Sequence, residues 1–171
     1  MNQLRKKRNI REKILKEATC QFAEHGFSAT SIQRVASAVG IKRPSLLYHF
    51  PSKESLREAV LESMLTHWRH ELPHLLAAAT SGTNRLDDAL SAVAGFFMDD
   101  KNRAKLLIRE MLDRPDAMRA LFLLHLRPWT TLIINYINTG QEHDQIPSDV
   151  HPESYILEVV LMIVGTVALG D

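Results

Sequence analysis

The first helix is predicted by apolar residues that recur at helical spacing. Ile14, Ala18 and Phe22 stand four residues apart, so they share one face of a helix over about residues 10–25. Gly26 follows this stripe and is expected to end the helix. This helix therefore has one face that needs a partner to bury it.

A second helix is predicted by a denser apolar stripe. Gly40 ends this helix, because glycine adopts the left-handed C-terminal conformation without strain. Thr30 and Gln33 have the spacing of a capping box, in which the two side chains satisfy backbone N–H groups at the helix start. The stripe consists of Ile32, Val35, Ala36 and Val39.

A short third helix follows after a tight turn. Pro44 suits its first position, where the missing N–H would lack a partner in any case. Leu46 and Phe50, four residues apart, form its buried face. A polar, basic and aromatic outer face on so short a helix is typical of a helix-turn-helix that enters a DNA groove. That face consists of Lys42, Arg43, Ser45, Tyr48 and His49.

The rest of the chain also has helical periodicity. Sustained alternation with β-branched residues, which would indicate strands, is not found. Ser52 caps a long fourth helix with a bend at Pro73, and a later helix is interrupted at Pro128. The polar segments 81–84 and 140–152 are predicted loops. The predicted helices cover residues 53–79, 85–98, 101–113, 116–138 and 152–169.

Charge is divided unevenly along the chain of 171 residues. Residues 1–60 hold 12 Lys/Arg and 5 Asp/Glu, a net +7, whereas residues 61–171 hold 9 and 15, a net −6. A basic first third indicates that this end faces a polyanion, with chance clustering as the alternative. The basic arm (residues 5–8, Arg-Lys-Lys-Arg) either reaches DNA phosphates or the minor groove, or is a solvated tail.

The number of cysteines and the N-terminal sequence bear on location. One cysteine, Cys20, excludes an intrachain disulfide and suits a reducing cytoplasm. The N-terminus is charged without an apolar segment behind it, so no secretory signal is expected. A cytoplasmic protein is therefore predicted.

The segment from Gly26 to Leu56 resembles the DNA-binding domain of the TetR family of transcriptional regulators. It has the sequence G-F-S-A-T-S-I-Q-R-V-A-S-A-V-G-I-K-R-P-S-L-L-Y-H-F-P-S-K-E-S-L. The resemblance covers about residues 10–64, and the remainder matches only in helical layout. It implies an all-α fold, with a helix-turn-helix DNA-binding domain at 1–52 and a helical bundle for ligand binding and dimerisation at 53–171.

The resemblance also implies which side chains contact DNA. Arg43 is able to pair with guanine, while Pro44 and Ser45 present small surfaces to thymine methyl groups or to the backbone. Tyr48 and His49 are able to reach phosphates, which position the protein without reading sequence. The predicted DNA-binding residues are Thr30, Ser31, Gln33, Lys42, Arg43, Pro44, Ser45, Leu47, Tyr48, His49 and Lys53.

Some of these positions have a second interpretation or depart from the family. Gln33 is alternatively only a capping residue, His49 a packed aromatic, and Arg43 an ordinary surface charge. Leu47 stands where the family often has a tyrosine, and Pro51 where a lysine is common. Fewer phosphate contacts would reduce the salt dependence of binding by about one unit of slope per lost contact.

The histidine and cysteine residues elsewhere in the chain do not indicate an enzyme. His67, His70 and His74 share a helix face, but three ligands within two turns converge poorly on a tetrahedral metal ion. Redox sensing by Cys20 is less favoured than a plain surface role. Phosphate loops, cysteine pairs and nucleophile motifs are not found. We therefore expect no catalysis, no metal and no cofactor.

Large apolar residues of the second domain are candidates for a ligand pocket, with ordinary helix-bundle core as the alternative for each. The expected effector is an apolar small molecule. Met98 and Met162 belong to the same group of large apolar residues. The predicted ligand-binding residues are Trp68, Phe96, Phe97, Met111, Phe122 and Trp129.

The last predicted helix is apolar on nearly all sides over residues 159–169. A membrane span needs about 20 such residues, and Glu158 shortens the run. Burial against its own domain and a second subunit accounts for this composition without a membrane. The family usually pairs this helix with another, so the chain is expected to be truncated after residue 171 or to have an abbreviated dimer contact.

These observations predict a sequence-specific DNA-binding transcriptional regulator. By resemblance it is a homodimeric repressor that a small-molecule ligand releases from a palindromic operator. The alternatives are a transcriptional activator or a ligand-independent DNA-binding regulator of the same fold.

Overall fold

The computed structural model describes the backbone of residues 2–79 and 85–170, and the side chains of residues 9–66, 90–127, 130–131 and 133–170. Over this part of the chain the secondary structure is helical, without a β-strand, as predicted. The helices are α1 (Asn2–Ala29), α2 (Ile32–Val39), α3 (Arg43–His49), α4 (Lys53–Ala79), α5 (Arg85–Met98), α6 (Lys101–Asp113), α7 (Pro115–His125), α8 (Arg127–Glu142) and α9 (Pro152–Leu169).

The chain divides into two compact units, Met1–Trp68 and Arg69–Asp171. The boundary between these two units lies inside α4. Leu56 and Val60 in the first two turns of α4 are fully buried. Those two turns therefore belong to the core of the first unit.

The core of the first unit is built from the apolar stripes that the sequence predicts. Ile14, Ala18 and Phe22 of α1 are at most 1% exposed. Val35 and Ala36 of α2 are fully buried, and α2 packs against both α1 and α3. The small side chain of Ala36 leaves room for a neighbouring helix to approach closely.

Two helices of the first unit differ from the prediction in their bounds. The backbone of α1 is helical from Asn2, so the basic arm at 5–8 continues the helix instead of preceding it. Gly26 interrupts α1 with a non-helical backbone (φ 79°, ψ 163°), as expected of a residue that ends a helical run. α3 begins at Arg43, one residue earlier than predicted, with Pro44 in its first turn.

In the second unit, the segment predicted as one helix bent at Pro128 forms two helices. α7 ends at His125, and α8 begins at Arg127 with Pro128 in its first turn. Proline is tolerated in a first turn because no intrahelical N–H bond is needed there, so the chain starts a new helix instead of bending an existing one. α8 then continues to Glu142, beyond its predicted end.

The core of the second unit forms around α6 and α9. α9 packs against α5, α6 and α8, and α6 packs against α5 and α7. Phe96, Leu106 and Val164 are at most 4% exposed. Within the described residues, α9 is the one helix that is long and apolar enough, by length and composition, to cross a membrane. It contacts three helices of its own unit, yet only 11% of its residues are buried.

Two glycines allow a Gly→Ala substitution to be compared in a left-handed and in a helical backbone conformation. A Cβ added at Gly40 or at Gly95 meets no atom within 4 Å, but Gly40 has φ +75° and Gly95 lies inside α5. We expect Gly40→Ala to lower the free energy of unfolding by about 1–2 kcal/mol. Gly95→Ala is expected to raise it by about 0.5–1 kcal/mol. Urea unfolding followed by helical circular dichroism measures both, and effects of equal sign would contradict the conformational explanation.

Candidate nucleic-acid interface

The turn between α2 and α3 has a defined hydrogen-bond pattern. Gly40 adopts the left-handed conformation, its N–H donates to the Ser37 carbonyl oxygen at 3.1 Å, and the Ile41 N–H donates to the Ala36 carbonyl oxygen at 3.0 Å. These two bonds form a Schellman motif, which closes α2 and reverses the chain. Since the motif is tight, it fixes the direction in which α3 leaves α2.

α3 buries one face and exposes the predicted DNA-facing residues. Leu46 is fully buried and Phe50 is 3% exposed, whereas Tyr48 is 71% exposed. Leu47 and His49 are half-buried at the edge between the two faces. The exposed residues at the start of the helix are Lys42, Arg43, Pro44 and Ser45.

The C-terminal end of α3 carries a row of aromatic rings with a guanidinium at one end. The rings of Tyr48 and His49 are 5.6 Å apart edge to face, and those of His49 and Phe50 are 6.4 Å apart. The Arg11 guanidinium lies 5.3 Å from the centre of the Phe50 ring. His49 is thus both packed between rings and partly open to solvent, so its two interpretations are compatible.

Sequence reasoning missed Arg11 as a neighbour of the recognition helix. Its side chain is exposed, and it precedes Ile14 by three residues on α1. Residues three apart share a helix face, so the buried stripe of α1 carries Arg11 to the edge of the domain next to α3. Continuing the predicted stripe of α1 by one turn toward the N-terminus would have placed Arg11 on this face.

The structure corrects the role of Thr30. Its side chain is 1% exposed, and its hydroxyl lies 2.8 Å from the Gly26 carbonyl oxygen and 3.0 Å from the Gln21 carbonyl oxygen. The hydroxyl therefore ties the α1–α2 connection together from inside. It is not part of the exposed surface, because the backbone kink at Gly26 turns it inward.

The cap of α2 is Ser31, not the predicted pair of Thr30 and Gln33. The Ser31 hydroxyl oxygen accepts a hydrogen bond from the Arg34 N–H at 3.1 Å. The Gln33 amide instead donates to the Ser37 hydroxyl oxygen at 3.1 Å on the exposed surface. Gln33 is therefore available to a DNA backbone, and the capping interpretation of this residue is wrong.

Arg34 adds a further polar contact at the start of α2. Its Nη2 atom lies 2.6 Å from Nε2 of His25. A guanidinium only donates hydrogen bonds, so this nitrogen of His25 is the acceptor. The exposed basic side chain of Arg34 is thereby held against the end of α1.

The predicted phosphate contact Lys53 has partners within its own domain. Its amine donates to the Ser28 carbonyl oxygen at 3.2 Å and lies 4.3 Å from the centre of the Phe27 ring. The helix start itself is capped as predicted, because the Ser52 hydroxyl accepts from the Ser55 N–H at 3.0 Å. Lys53 thus connects the start of α4 to the end of α1.

The candidate ligand-binding residues have different environments in the second unit. Phe96 and Phe97 are each 4% exposed and their rings are 5.0 Å apart. Met111 and Phe122 are partly buried, whereas Met98 and Met162 are more than 60% exposed and face outward. The candidates whose side chains lie outside the described residues are Trp68 and Trp129.

Arg103 fixes the Phe96 end of this cluster. It donates to the Phe96 carbonyl oxygen at 2.8 Å, and its guanidinium lies 4.4 Å from the centre of that ring. Phe96 is therefore held in the core by two contacts of one side chain. The described side chains contain no group of three metal-ligating residues, and His67, His70 and His74 lie outside them.

Sequence comparison places a known domain over this helix-turn-helix. Residues 14–60 match the family model for bacterial regulatory proteins, tetR family. The transcriptional regulator RutR of Escherichia coli K12 is 42% identical over 55 residues, which are 32% of this chain and 26% of RutR. The transcriptional repressor KstR2 of Mycolicibacterium smegmatis is 36% identical over 76 residues, 44% of this chain and 37% of KstR2. The chain thus spans well under half the length of these relatives.

Fold comparison extends the similarity over nearly the whole chain. The ketosteroid transcriptional regulator KstR2 of Mycobacterium tuberculosis is 19% identical with a TM-score of 0.76, over 94% of this chain and 83% of that one. A mutant of HlyIIR is 20% identical with a TM-score of 0.75, over 96% and 97%. The predicted resemblance to the TetR family is confirmed by sequence over residues 14–60, and beyond them the similarity is one of fold alone. The names of these relatives are those of transcriptional regulators.

Two substitutions of Ser31 distinguish the loss of the helix cap from the effect of replacing the side chain. Ser31→Ala is expected to lower the free energy of unfolding by about 1 kcal/mol, because the Arg34 N–H loses its acceptor. Ser31→Asp is expected to keep the wild-type value, since aspartate caps as well as serine does. Urea unfolding of the three proteins tests this, and an equal loss in both variants would show that capping is not the cause.

Proposed function

We infer that this chain, with its TetR-type first domain, is a sequence-specific DNA-binding transcriptional regulator that acts as a repressor. The observation that carries the proposal is the exposed face of α3 behind a closed Schellman turn. This face presents Arg43, Ser45 and Tyr48 on a rigid helix. A short exposed helix held against a second helix has the shape that fits a major groove.

The charge distribution supports the same orientation. Residues 1–60 carry a net charge of +7 and the rest of the chain −6. A basic domain gains free energy by releasing counterions from DNA, whereas an acidic domain is repelled by phosphates. The first unit would therefore be the one that faces the DNA.

We assign base contacts and phosphate contacts to different residues. Arg43 would pair with guanine from the first turn of α3, next to Pro44 and Ser45, which are small enough for close approach. Tyr48 and His49 at the other end would contact phosphates, with Ser31, Gln33 and Lys42. Thr30 is not among the proposed phosphate contacts, because its side chain is buried.

We further propose that two copies act together through α9. Within one chain only Val164 and Ala168 of this helix are buried, although the helix is largely apolar. Leu157, Leu161 and Met162 are 42–63% exposed. Covering them with a second copy would place two recognition helices on a palindromic operator, about 34 Å apart for successive half-sites.

Release by an apolar small molecule is the remaining part of the proposal. α4 begins in the first unit and continues into the second, so it connects DNA-binding residues with the domain that holds Phe96 and Phe97. A ligand would act by binding better to the conformation that does not fit the operator. Activation, or DNA binding without a ligand, is distinguished by measuring reporter transcription with and without the protein.

The division between base and phosphate contacts gives a direct test on DNA upstream of the protein's own gene. Arg43→Ala is expected to cost about 1–3 kcal/mol per half-site on specific DNA, reducing the ratio of specific to random binding. Tyr48→Phe is expected to weaken binding to specific DNA and to random DNA by a similar factor, about fivefold, because it removes one hydrogen bond to a phosphate. Fluorescence anisotropy at fixed salt measures the dissociation constants of each variant for specific and for random DNA.

Arg119→Ala is the matched control for these measurements. Arg119 is an exposed arginine of α7 in the second unit, so its loss changes the net charge equally without touching the proposed surface. It should leave both affinities within a factor of two. The proposal fails if wild-type protein binds native and random DNA equally and neither Arg43→Ala nor Tyr48→Phe changes that.

The proposed pairing through α9 is tested separately. Leu161→Arg should shift the protein toward the monomer, because it places a charge in the middle of the apolar face. Leu124→Arg, at a 73% exposed leucine of α7, is the control and should leave the dimer intact. Sedimentation equilibrium over a range of concentrations measures the association, and dimers of equal strength in wild type and Leu161→Arg would rule out this interface.

A further inference from the structure

We propose that Phe27 and Arg57 are positioning residues for DNA binding, which close the helix-turn-helix at its base. The inference rests on the proposed function, since it concerns how the DNA-facing residues are held. Neither residue is part of the exposed face of α3. Both act through Lys53 and the connection between α1 and α2.

The contact between Phe27 and α4 joins distant parts of the chain. Two cations contact the Phe27 ring, with the Lys53 amine and the Arg57 guanidinium each 4.3 Å from its centre. The Phe22 ring supports Phe27 from the core side at 5.5 Å. Cations are attracted to the negative face of an aromatic ring, so the three side chains form one cluster, which we call the basal clasp.

A hydrogen bond in the same place fixes the backbone. The Lys53 amine donates to the carbonyl oxygen of Ser28, a residue 25 positions earlier. All of α2, the Schellman turn and α3 lie between these two residues. The basal clasp therefore closes a chain segment that contains the complete helix-turn-helix.

This closure sets where α2 begins. Phe27 lies directly after the kink at Gly26, and its carbonyl oxygen accepts the Thr30 N–H at 3.2 Å. Thr30 is buried and tied to the Gly26 carbonyl oxygen, so the next residue, Ser31, has little freedom. A shift of Phe27 would thus move the capped start of α2 relative to α3.

Arg57 distinguishes positioning from direct contact with DNA. Its side chain is only 7% exposed, so its charge is inside the domain and not on the surface. A phosphate would not reach it without unfolding the first turns of α4. A loss of DNA affinity on replacing Arg57 would therefore report the position of other residues.

The test uses the full chain with substitutions at the Phe27 ring and at one of the two cations that contact it. Phe27→Leu keeps an apolar side chain but removes the ring face, and Arg57→Met keeps the stem but removes the charge. Phe27→Tyr keeps the ring face and is the conservative variant. Ile14→Val is the structural control, because Ile14 is fully buried in α1 and does not belong to the basal clasp.

Dissociation constants for upstream DNA are measured over a range of salt concentrations, at a temperature where circular dichroism shows every variant fully folded. We expect Phe27→Leu and Arg57→Met to weaken specific binding about tenfold. The salt slope should stay unchanged, because surface charges are retained. Phe27→Tyr and Ile14→Val should bind within a factor of two of wild type, although Ile14→Val lowers the melting temperature.

If Phe27→Leu and Arg57→Met melt at lower temperature but bind DNA as Ile14→Val does, the basal clasp has only a structural role. A salt slope reduced by about one unit per half-site in Arg57→Met would mean a direct phosphate contact instead. If wild-type protein itself does not distinguish specific from random DNA, the proposed function fails and the positioning role fails with it.

Discussion

The reversal of the chain at Gly40 is the constraint on which the first unit depends. A left-handed residue at this point lets the Gly40 and Ile41 N–H groups return to carbonyl oxygens of the last turn of α2. The chain is then directed into α3, where Leu46 is fully buried and the opposite face is left exposed. A residue with a Cβ would bear a conformational cost here even though the surrounding space is open.

The two ends of the helix-turn-helix are held by different kinds of interaction. Between α2 and α3, backbone hydrogen bonds fix the turn itself. Between the start of α2 and the start of α4, Phe27, Lys53 and Arg57 hold the chain through ring and cation contacts. The Lys53 amine also donates a hydrogen bond to the Ser28 carbonyl oxygen, so side chains of α4 hold the start of α2 where no backbone turn does.

The second unit leaves large apolar side chains exposed on its surface. Its helices bury Phe96, Leu106 and Val164, yet α9 leaves Leu157, Leu161 and other large apolar side chains in contact with solvent. Apolar exposure on this scale is unfavourable for an isolated chain, and association with a second copy would remove it.

The sequence by itself determined the local elements, because helical periodicity, glycine and proline act over a few residues. It predicted α4, α5, α6 and α9 at their observed bounds and the left-handed end of α2 at Gly40. Tertiary structure decided which side chains those elements expose. The sequence pattern predicted Thr30 as the cap of α2, but Thr30 is turned inward after the kink at Gly26, and Ser31 is the cap. Lys53 likewise follows the family pattern, but its contact with Ser28 depends on two segments 25 residues apart meeting in space, which no local pattern records.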